Sequence, residues 1–292
     1  MRPLTYIAAM GIPVAIVVFF LGHWVLSVFF QTFFLHRYGA HRMFTMSRGW
    51  ERFFHLCTFV TQGSSYLNPR AYAIMHRMHH AFSDTERDPH SPIIQKTFGK
   101  MMYRTLLQYQ GVMRGTLPVE RRFLGEYPEW PALDRFAHRW IMAVAWGSLY
   151  TLFYVHFATA WWQFLLVPVH YMMGPLHGGI VNWFGHKLGY RNFDQKDASR
   201  NTLFIDFVTM GELFQNNHHM YGSRAKFAVK AWEIDPSWPI IWMLDKVGAI
   251  HLRAPVASAK QLSKAATARP EAGAIEALPP SMPVPSAAPA DA

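Results

Sequence analysis

The chain has 292 residues, of which 51% are hydrophobic and 16% aromatic, and its formal net charge is +10. This composition favours membrane insertion as one continuous unit, and basic residues spread singly between apolar stretches argue against a nucleic-acid-binding protein. Because Cys57 is the single cysteine, an internal disulfide, a cysteine-based zinc site and a four-cysteine iron–sulfur cluster are excluded.

The first apolar region runs from Leu4 to Leu35 without Lys, Arg, Asp or Glu. Its length exceeds the roughly 20 residues of one untilted span and falls short of two full spans. We therefore expect a tight hairpin that turns near Gly22 and His23, with one long kinked helix as the alternative. The region has no convincing signal-peptide cleavage site, so it is interpreted as a retained membrane anchor.

Two further apolar regions follow. Phe53 to Tyr66 is too short to span a bilayer and predicts an interfacial or re-entrant helix. Trp140 to Val181 is broken around His156 to Trp162 and predicts two more spans, which brings the expected total to four. The sequence from 254 to 292 is rich in Ala, Pro and Ser and predicts a disordered tail behind a membrane domain of residues 1–253.

The basic residues predict the orientation. Of the 28 Lys and Arg residues, 15 lie between Arg37 and Arg139 and nine between Lys187 and Arg253, whereas the expected outer turns contain none. Cytoplasmic loops of membrane proteins carry an excess of Lys and Arg, so both sequence ranges are predicted to face the cytoplasm.

Eight of the 16 histidines fall in groups beside these apolar regions. They are His36, His41, His76, His79, His80, His186, His218 and His219. Taken alone, each group also fits an interfacial, solvated or helix-end role. Imidazole is a general ligand of first-row transition metals, however, and the joint pattern predicts metal binding.

The spacing within two groups constrains how they could share a metal. His36 and His41 are about 140° apart on a regular helix, so they share one region only if the helix ends or bends, which Gly39 permits. His76 and His79 share one helix face and His80 lies about 100° round it, an arrangement that could serve two metal ions.

Other polar residues are candidates for supporting roles. Asp84, Glu86 and Asp88 follow the second histidine group and are expected to orient ligating imidazoles. His90 would by default be a turn residue, and by hypothesis it supports a ligating imidazole. Asn182 lies four residues before His186 and shares its helix face.

The number of histidines indicates the chemistry. Eight exceed the three or four protein ligands of a zinc hydrolase. Two metal ions with room for dioxygen suit oxygen activation by non-haem iron, although all-nitrogen ligation departs from the common arrangement of two histidines and one carboxylate. Because the histidines lie beside apolar spans, a lipid chain is the expected substrate.

Three segments carry a resemblance to a known family. The first reads His36-Arg-Tyr-Gly-Ala-His41-Arg, and the second reads His76-Arg-Met-His79-His80 and continues through His90. The third extends from Asn182-Trp-Phe-Gly-His186 to Gly211-Glu212-Leu-Phe-Gln-Asn-Asn-His218-His219. In this order they resemble the histidine boxes of the membrane fatty acid desaturases, in particular the stearoyl-CoA desaturase-like group.

The resemblance implies an all-α integral membrane protein with four transmembrane helices and a cytosolic helical cap that holds a di-iron centre. The eight histidines would be the metal ligands, Asn182 would hold a metal-bound water, and no other catalytic side chain is expected. The enzyme would use dioxygen and two electrons to place a cis double bond, at the delta-9 position by analogy, in a saturated chain carried by CoA or a phospholipid.

Two features depart from the group. Gln215 stands where a histidine usually opens the third box, so it would either ligate through its oxygen or leave a weaker or open position. Ile74 and Met75 replace an Arg-Asp pair of relatives that use acyl-CoA, which makes recognition of CoA less secure than desaturation.

The expected partner is a separate electron donor of the ferredoxin, flavodoxin or cytochrome type, because the sequence contains no cytochrome-type His-Pro-Gly-Gly segment and no cysteine cluster. The expected location is a bacterial inner membrane with the active site on the cytoplasmic side. A lipid hydroxylase on the same scaffold is the nearest alternative. A metal-binding membrane protein such as a transporter is the third hypothesis, and it would spread the histidines across the membrane depth.

Overall fold

The computed structural model describes residues 14–253, and that part of the chain is mostly helical. Residues 1–13 and 254–292, including the expected tail and the start of the expected hairpin, lie outside the described residues. The α-helices are α1 (Val14–Phe30), α2 (Arg48–Gln62), α3 (Pro69–Phe82), α4 (Pro92–Gln95), α5 (Phe98–Arg114), α6 (Pro131–Ala137), α7 (Trp140–Phe157), α8 (Val167–Tyr171), α9 (Met173–Lys187), α10 (Gln215–Met220) and α11 (Ser237–Lys246).

Shorter elements join these helices. A π-helix, Gln31–Ala40, continues α1 directly, and 3₁₀ turns cover Gly63–Ser65, Arg121–Phe123 and Trp161–Leu166. Strands β1 (Phe44–Thr45) and β2 (His251–Leu252) pair antiparallel, with Phe44 opposite Leu252. This pairing ties the end of the described chain to the segment that follows the π-helix.

The first helix is continuous from Val14 to Ala40, so the hairpin predicted near Gly22 and His23 was wrong. A Cβ atom on Gly22 would meet no heavy atom within 4 Å, so this glycine is not required for a turn or a close contact. His23, the polar residue at the expected turn, has a hydrogen-bond partner in the structure. Its Nδ1 lies 2.6 Å from His170 Nδ1 in α8. An interhelical hydrogen bond therefore accommodates His23 inside the helix bundle.

The described residues contain two helices that are long and apolar enough to cross a membrane, Val14–Ala40 and Trp140–Phe157. A third crossing is possible if Trp161–Tyr171 and Met173–Lys187, which meet at 79°, form one bent span. The start of α9 packs tightly at this bend, because Ser65 Oγ accepts a hydrogen bond from Gly174 N and a Cβ on Gly174 would approach Ser65 O to 2.8 Å. Residues 14–253 thus contain two candidate spans, or three if the bent pair counts as one, and the expected number of four stays a prediction.

Helix α2 is amphipathic and shorter than a span. Ser47 caps its first turn by accepting a hydrogen bond from Trp50 N. Phe54 and Phe59 are buried, whereas Phe53, Leu56 and Val60 are exposed apolar residues on the same helix. This distribution suits a helix that lies at the membrane interface with one face on the protein.

A hydrophobic core fixes the elements that carry the histidines. It joins Phe33 and Phe34 of the π-helix with Phe214 before α10 and Ile241 of α11. Helix α3 packs beside the π-helix, and Arg77 donates hydrogen bonds to the carbonyl oxygens of Gly39 (3.2 Å) and Ala40 (2.9 Å). The π-helix, α3 and α10 are therefore held around one centre.

Candidate metal centre

The eight histidines divide into two adjacent groups. The five-histidine cluster consists of His36, His41, His76, His80 and His218, and the three-histidine cluster consists of His79, His186 and His219. Within each cluster, one ligand nitrogen per residue lies within 4.8 Å of the others. The rings of His80 and His219 connect the clusters, with centroids 4.4 Å apart. The structure therefore brings together all eight histidines that the sequence singled out.

The nitrogens of the five-histidine cluster converge. His41 Nε2 is 2.7 Å from His76 Nε2, and His218 Nε2 is 3.0 Å from His36 Nε2 and 2.9 Å from His80 Nε2. Several imidazole nitrogens that meet in this way need a shared proton or a shared cation, since two bare lone pairs repel each other. A transition-metal ion fits this donor set.

The π-helix explains how His36 and His41 reach the same cluster. Their backbones are joined by an i to i+5 hydrogen bond, His41 N to His36 O, of 3.1 Å. Residues five apart lie nearly above one another in this geometry. Their ring centroids are 5.0 Å apart. The sequence analysis required the helix to end or bend, but a change of helix type achieves the same result.

In the three-histidine cluster, each imidazole is held by a carboxylate through Nδ1. His79 bonds Asp88 at 3.0 Å, His186 bonds Asp84 at 2.9 Å, and His219 bonds Asp197 at 3.0 Å. The three Nε2 atoms are buried and have no hydrogen-bond partner among the described residues. Metal-ligating histidines show this pattern, in which one nitrogen is oriented by a carboxylate and the other is left for the metal.

Helix α3 supplies both clusters, but the grouping differs from the prediction that His76 and His79 share a face. His76 and His80 are four apart and face the five-histidine cluster, whereas His79 faces the other cluster. Helix α10 divides its neighbours similarly, because consecutive residues point about 100° apart: His218 joins the first cluster and His219 the second.

A buried charge network supports the five-histidine cluster. Glu212 Oε2 lies 2.6 Å from His36 Nδ1, and Thr32 donates a hydrogen bond to the same carboxylate. Arg37 is fully buried and contacts both Glu212 (3.3 Å) and Asp235 (3.1 Å). Because a buried guanidinium is costly without anionic partners, these contacts fix the position of Glu212.

Burial sets the protonation of the imidazoles. Desolvation holds the pKa values of His41, His76, His80 and His218 well below the ordinary value, and it lowers the pKa of His219 to about 4. For His79 burial lowers the pKa, but the charge and hydrogen bond of Asp88, together with the charges of Asp84 and Asp197, outweigh burial and raise it. Most of these rings are therefore neutral at pH 7, the form that binds metal.

The supporting carboxylates are ionised. Burial alone would raise the pKa of Asp88, but the charge of His79 and its hydrogen bond outweigh burial and hold that pKa below the usual range. The same balance lowers the pKa values of Asp84, Asp197 and Glu212 through their histidine partners. Anionic acceptors on Nδ1 favour the tautomer that leaves Nε2 free for a metal ion.

The residues predicted to support the histidines lie in different places. Asp84 and Asp88 contact ligand candidates, and the His90 ring lies beside His79 with centroids 4.6 Å apart. Glu86 is exposed, and its described contact is a backbone carbonyl that accepts from Arg104, so its predicted orienting role was wrong. Its position in the turn after α3 points it to solvent.

Gln215 and Asn182 both line a cavity beside the histidines. Gln215 is 2% exposed and donates from Nε2 to Glu212 O at 3.0 Å, whereas its Oε1 is buried with no partner among the described residues. Asn182 donates from Nδ2 to Gly178 O at 2.8 Å. Gln215 Oε1 is therefore available as an acceptor or a ligand.

Two carboxylates in the site were missed by the sequence analysis, Asp197 and Glu212. Glu212 carried a local signal, because it lies within the third histidine segment and between apolar residues. Asp197 carried none, since it follows Asp194 and Lys196 in a polar stretch that resembles a solvated loop.

The cavity measures about 440 Å³, within the usual range for small-molecule sites. It is bounded by His76 and Glu212 at the histidines and by α1, α3, α5 and α9 elsewhere. Most of its wall is apolar, including Val28, Leu67, Met101, Met102, Pro175 and Val181. A hydrocarbon chain fits this lining better than a polar metabolite.

The amino-acid sequence is similar to those of known proteins. The family model described as fatty acid desaturase matches residues 11–241. The chain is 28% identical to the hex-5-enoyl-[acyl-carrier protein] acetylenase of Moorena producens, with 79% of this chain and 74% of the relative covered. It is 29% identical to the sn-1 stearoyl-lipid 9-desaturase of Anabaena variabilis (80% and 82% covered) and to an acyl-CoA 5-desaturase of Anemone leveillei (77% and 67% covered).

Proposed function

Because this chain belongs to the fatty acid desaturase family and is a membrane oxidoreductase that desaturates fatty acyl chains, we propose that its two histidine clusters each hold one iron ion. The observation that carries the proposal is the set of three buried Nε2 atoms of His79, His186 and His219, which have no described partner while each Nδ1 meets a carboxylate. Nitrogen donors of neutral imidazole suit iron. The pair of metals would be shared among all eight histidines.

Bound iron would supply the redox chemistry, in which dioxygen, two electrons and two protons remove two hydrogens from adjacent methylenes and yield a cis double bond and two waters. The protein's own residues position the chain and the ligands. Asp84, Asp88, Asp197 and Glu212 hold four imidazoles through Nδ1 and so fix the direction of Nε2. The apolar cavity keeps water from the reacting methylenes.

Two amides complete the proposed site. Gln215 Oε1 is buried and has no described partner, and we assign it to a metal ion or a metal-bound water. Asn182 lines the same cavity and donates from Nδ2 to Gly178 O, so its carbonyl oxygen would hold a water. His90 would support His79 from its far side.

The histidines are proposed to face the cytoplasm of a bacterial inner membrane. Both segments rich in Lys and Arg, residues 37–139 and 187–253, contribute histidines to the two clusters, and such segments are typical of the cytoplasmic side. The helices between the spans would form the cytosolic cap over the iron site. The count of four transmembrane helices stays a prediction, as does the division into a domain of residues 1–253 and a tail of residues 254–292.

A separate electron donor is proposed to dock beside His41. An opening at this histidine is lined by Arg42, Arg77, Arg122 and Arg253. Charge complementarity between such a patch and an acidic protein of the ferredoxin, flavodoxin or cytochrome type would steer association and bring the donor near a ligand.

Metal analysis of purified protein tests the iron assignment. The account predicts two iron ions per chain in the wild type and about one in His79→Ala, because that variant loses one of the three ligands of a single cluster. His251→Ala removes an exposed histidine outside both clusters and serves as the control. Equal iron in all three proteins would contradict the assignment.

A further inference from the structure

The wall of the acyl cavity contains no Lys or Arg among the described residues. Its single carboxylate, Glu212, is already engaged by His36 and Arg37. Phosphates of a soluble acyl carrier are normally bound by Arg and Lys, so a cavity that took its chain from CoA would need cations at its entrance. Met75, which lines the cavity on α3, and its neighbour Ile74 are buried and supply none.

The entrance itself is apolar. Three lining side chains are strongly exposed: Tyr103 (64%) and Leu106 (49%) on α5, and Met172 (55%) at the bend before α9. They mark the place where the cavity meets its surroundings. A water-facing entrance is normally polar, whereas an edge made of a tyrosine, a leucine and a methionine suits contact with lipid.

The surface beside this entrance continues the same character. Helix α5 buries Met101 and Val112 but exposes Tyr103 and Leu106, and α8 exposes Tyr171. Lys100 is also exposed, one turn before the apolar residues of α5. Apolar side chains next to a cation are typical of a helix that lies among lipid head groups and acyl chains.

The cationic opening at His41 does not serve the cavity. It is lined by Arg42, Arg77, Arg122 and Arg253, and no residue lines both spaces. The exposed residues of the cavity wall are instead Tyr103, Leu106 and Met172, and none of them is charged.

We propose that the enzyme takes its acyl chain directly from a membrane lipid, which stays in the bilayer while the chain enters sideways between α5 and the start of α9. This inference rests on the proposed function and names the carrier of its substrate. CoA and acyl carrier protein are not the expected direct donors, because among the described residues no Lys or Arg lines the cavity to bind their phosphates.

The test compares three donors in membranes that contain the full chain. Deuterated stearoyl groups are supplied as phosphatidylglycerol, as CoA thioester and as acyl carrier protein thioester, with the same membrane fraction as the source of electrons. Intact products are followed by mass spectrometry from the earliest times. A phospholipid with a 1-O-octadecyl ether is included, because its chain cannot exchange with a thioester.

The expected result is a double bond in labelled phosphatidylglycerol and in the ether lipid before any unsaturated thioester is detected. An unsaturated CoA or carrier-protein thioester that forms first would overturn the inference while leaving desaturation intact. A double bond in none of the donors, from protein that holds iron, would overturn the proposed function and this inference with it.

A pair of variants tests the entrance. Leu106 and Leu107 are adjacent on α5 and each is 49% exposed, but only Leu106 lines the cavity. A charge in an apolar passage opposes entry of a hydrocarbon, so Leu106→Glu should raise the KM for the lipid by roughly tenfold or more, with iron content unchanged. Leu107→Glu should stay within about twofold of the wild type. Equal effects of the two variants would overturn the assignment of the entrance.

Discussion

Replacing Asp88 by asparagine should disturb the three-histidine cluster without changing its shape. Both carboxylate oxygens approach His79 Nδ1, at 3.1 and 3.0 Å. Oδ1 also accepts a hydrogen bond from His90 N at 3.0 Å, and Oδ2 accepts one from Asp84 N at 2.9 Å. Whichever oxygen becomes an amide NH₂ must therefore face a backbone N–H donor, so rotation of the amide gives no relief.

The magnitude follows from these contacts. One buried donor is left unsatisfied, which costs about 1–3 kcal/mol of folding free energy. His79 also loses its charged acceptor, and loss of such a partner weakens metal binding by about 10–100-fold, equivalent to about 1.4–2.8 kcal/mol. Asp88→Asn should therefore lose iron from one cluster at chelator concentrations that the wild type resists.

The assay is iron content per chain across a chelator series, with thermal unfolding measured in parallel. Asp194→Asn is the matched control, because the side chain of Asp194 is fully exposed and lies 3.9 Å from Arg191. The reasoning predicts two steps of iron loss in Asp88→Asn, with the step of the five-histidine cluster unchanged. Iron retention equal to that of the control would refute it.

Three further predictions follow from other parts of the site. Gln215→Ala should lose iron or activity and Gln215→His should retain metal, since Gln215 Oε1 is a buried acceptor without a described partner. Activity is measured by product formation, and unchanged activity in the alanine variant would remove Gln215 from the site. Arg122→Glu should slow the reduction of the enzyme by an acidic electron donor in stopped-flow experiments and flatten the salt dependence of that rate. Arg121 lies outside the opening, so Arg121→Glu should do neither, and equal slowing by both variants would contradict the docking site. Burial holds four pKa values of the five-histidine cluster below the ordinary histidine value of about 6.5, so below that pH the metal-free folded protein binds fewer protons than the unfolded protein. Its free energy of unfolding should therefore fall as the pH drops from about 7.5 to 5. A melting temperature that does not fall over this range would contradict these pKa values.

The histidines could be predicted because ligands that share a helix are close in sequence. His76, His79 and His80 lie within one turn and a half, and helix periodicity alone indicates that they face two directions. The distribution of all eight could not be predicted, because it depends on distant partners. His186, for example, is oriented by Asp84, which lies 102 residues away in the chain.

The wrong hairpin has a similar cause. A glycine followed by a histidine in an apolar stretch resembles a turn at the membrane surface when its surroundings are unknown. The partner of His23 is His170, 147 residues further along the chain, so the pairing that allows a continuous helix is invisible locally. Within the π-helix Gln31–Ala40, Arg37 pairs with Glu212 and Asp235, which lie more than 170 residues away in the chain and are equally invisible locally.

The central claim is that this protein places a double bond in an acyl chain at its histidine site. The most direct measurement is gas chromatography with mass spectrometry of total fatty acids from a bacterial host without desaturases, with the wild-type gene or with His79→Ala. The account predicts a new monounsaturated acid with the wild type and none with the variant. A hydroxy acid in its place, or the same monounsaturated acid in both strains, would contradict the account.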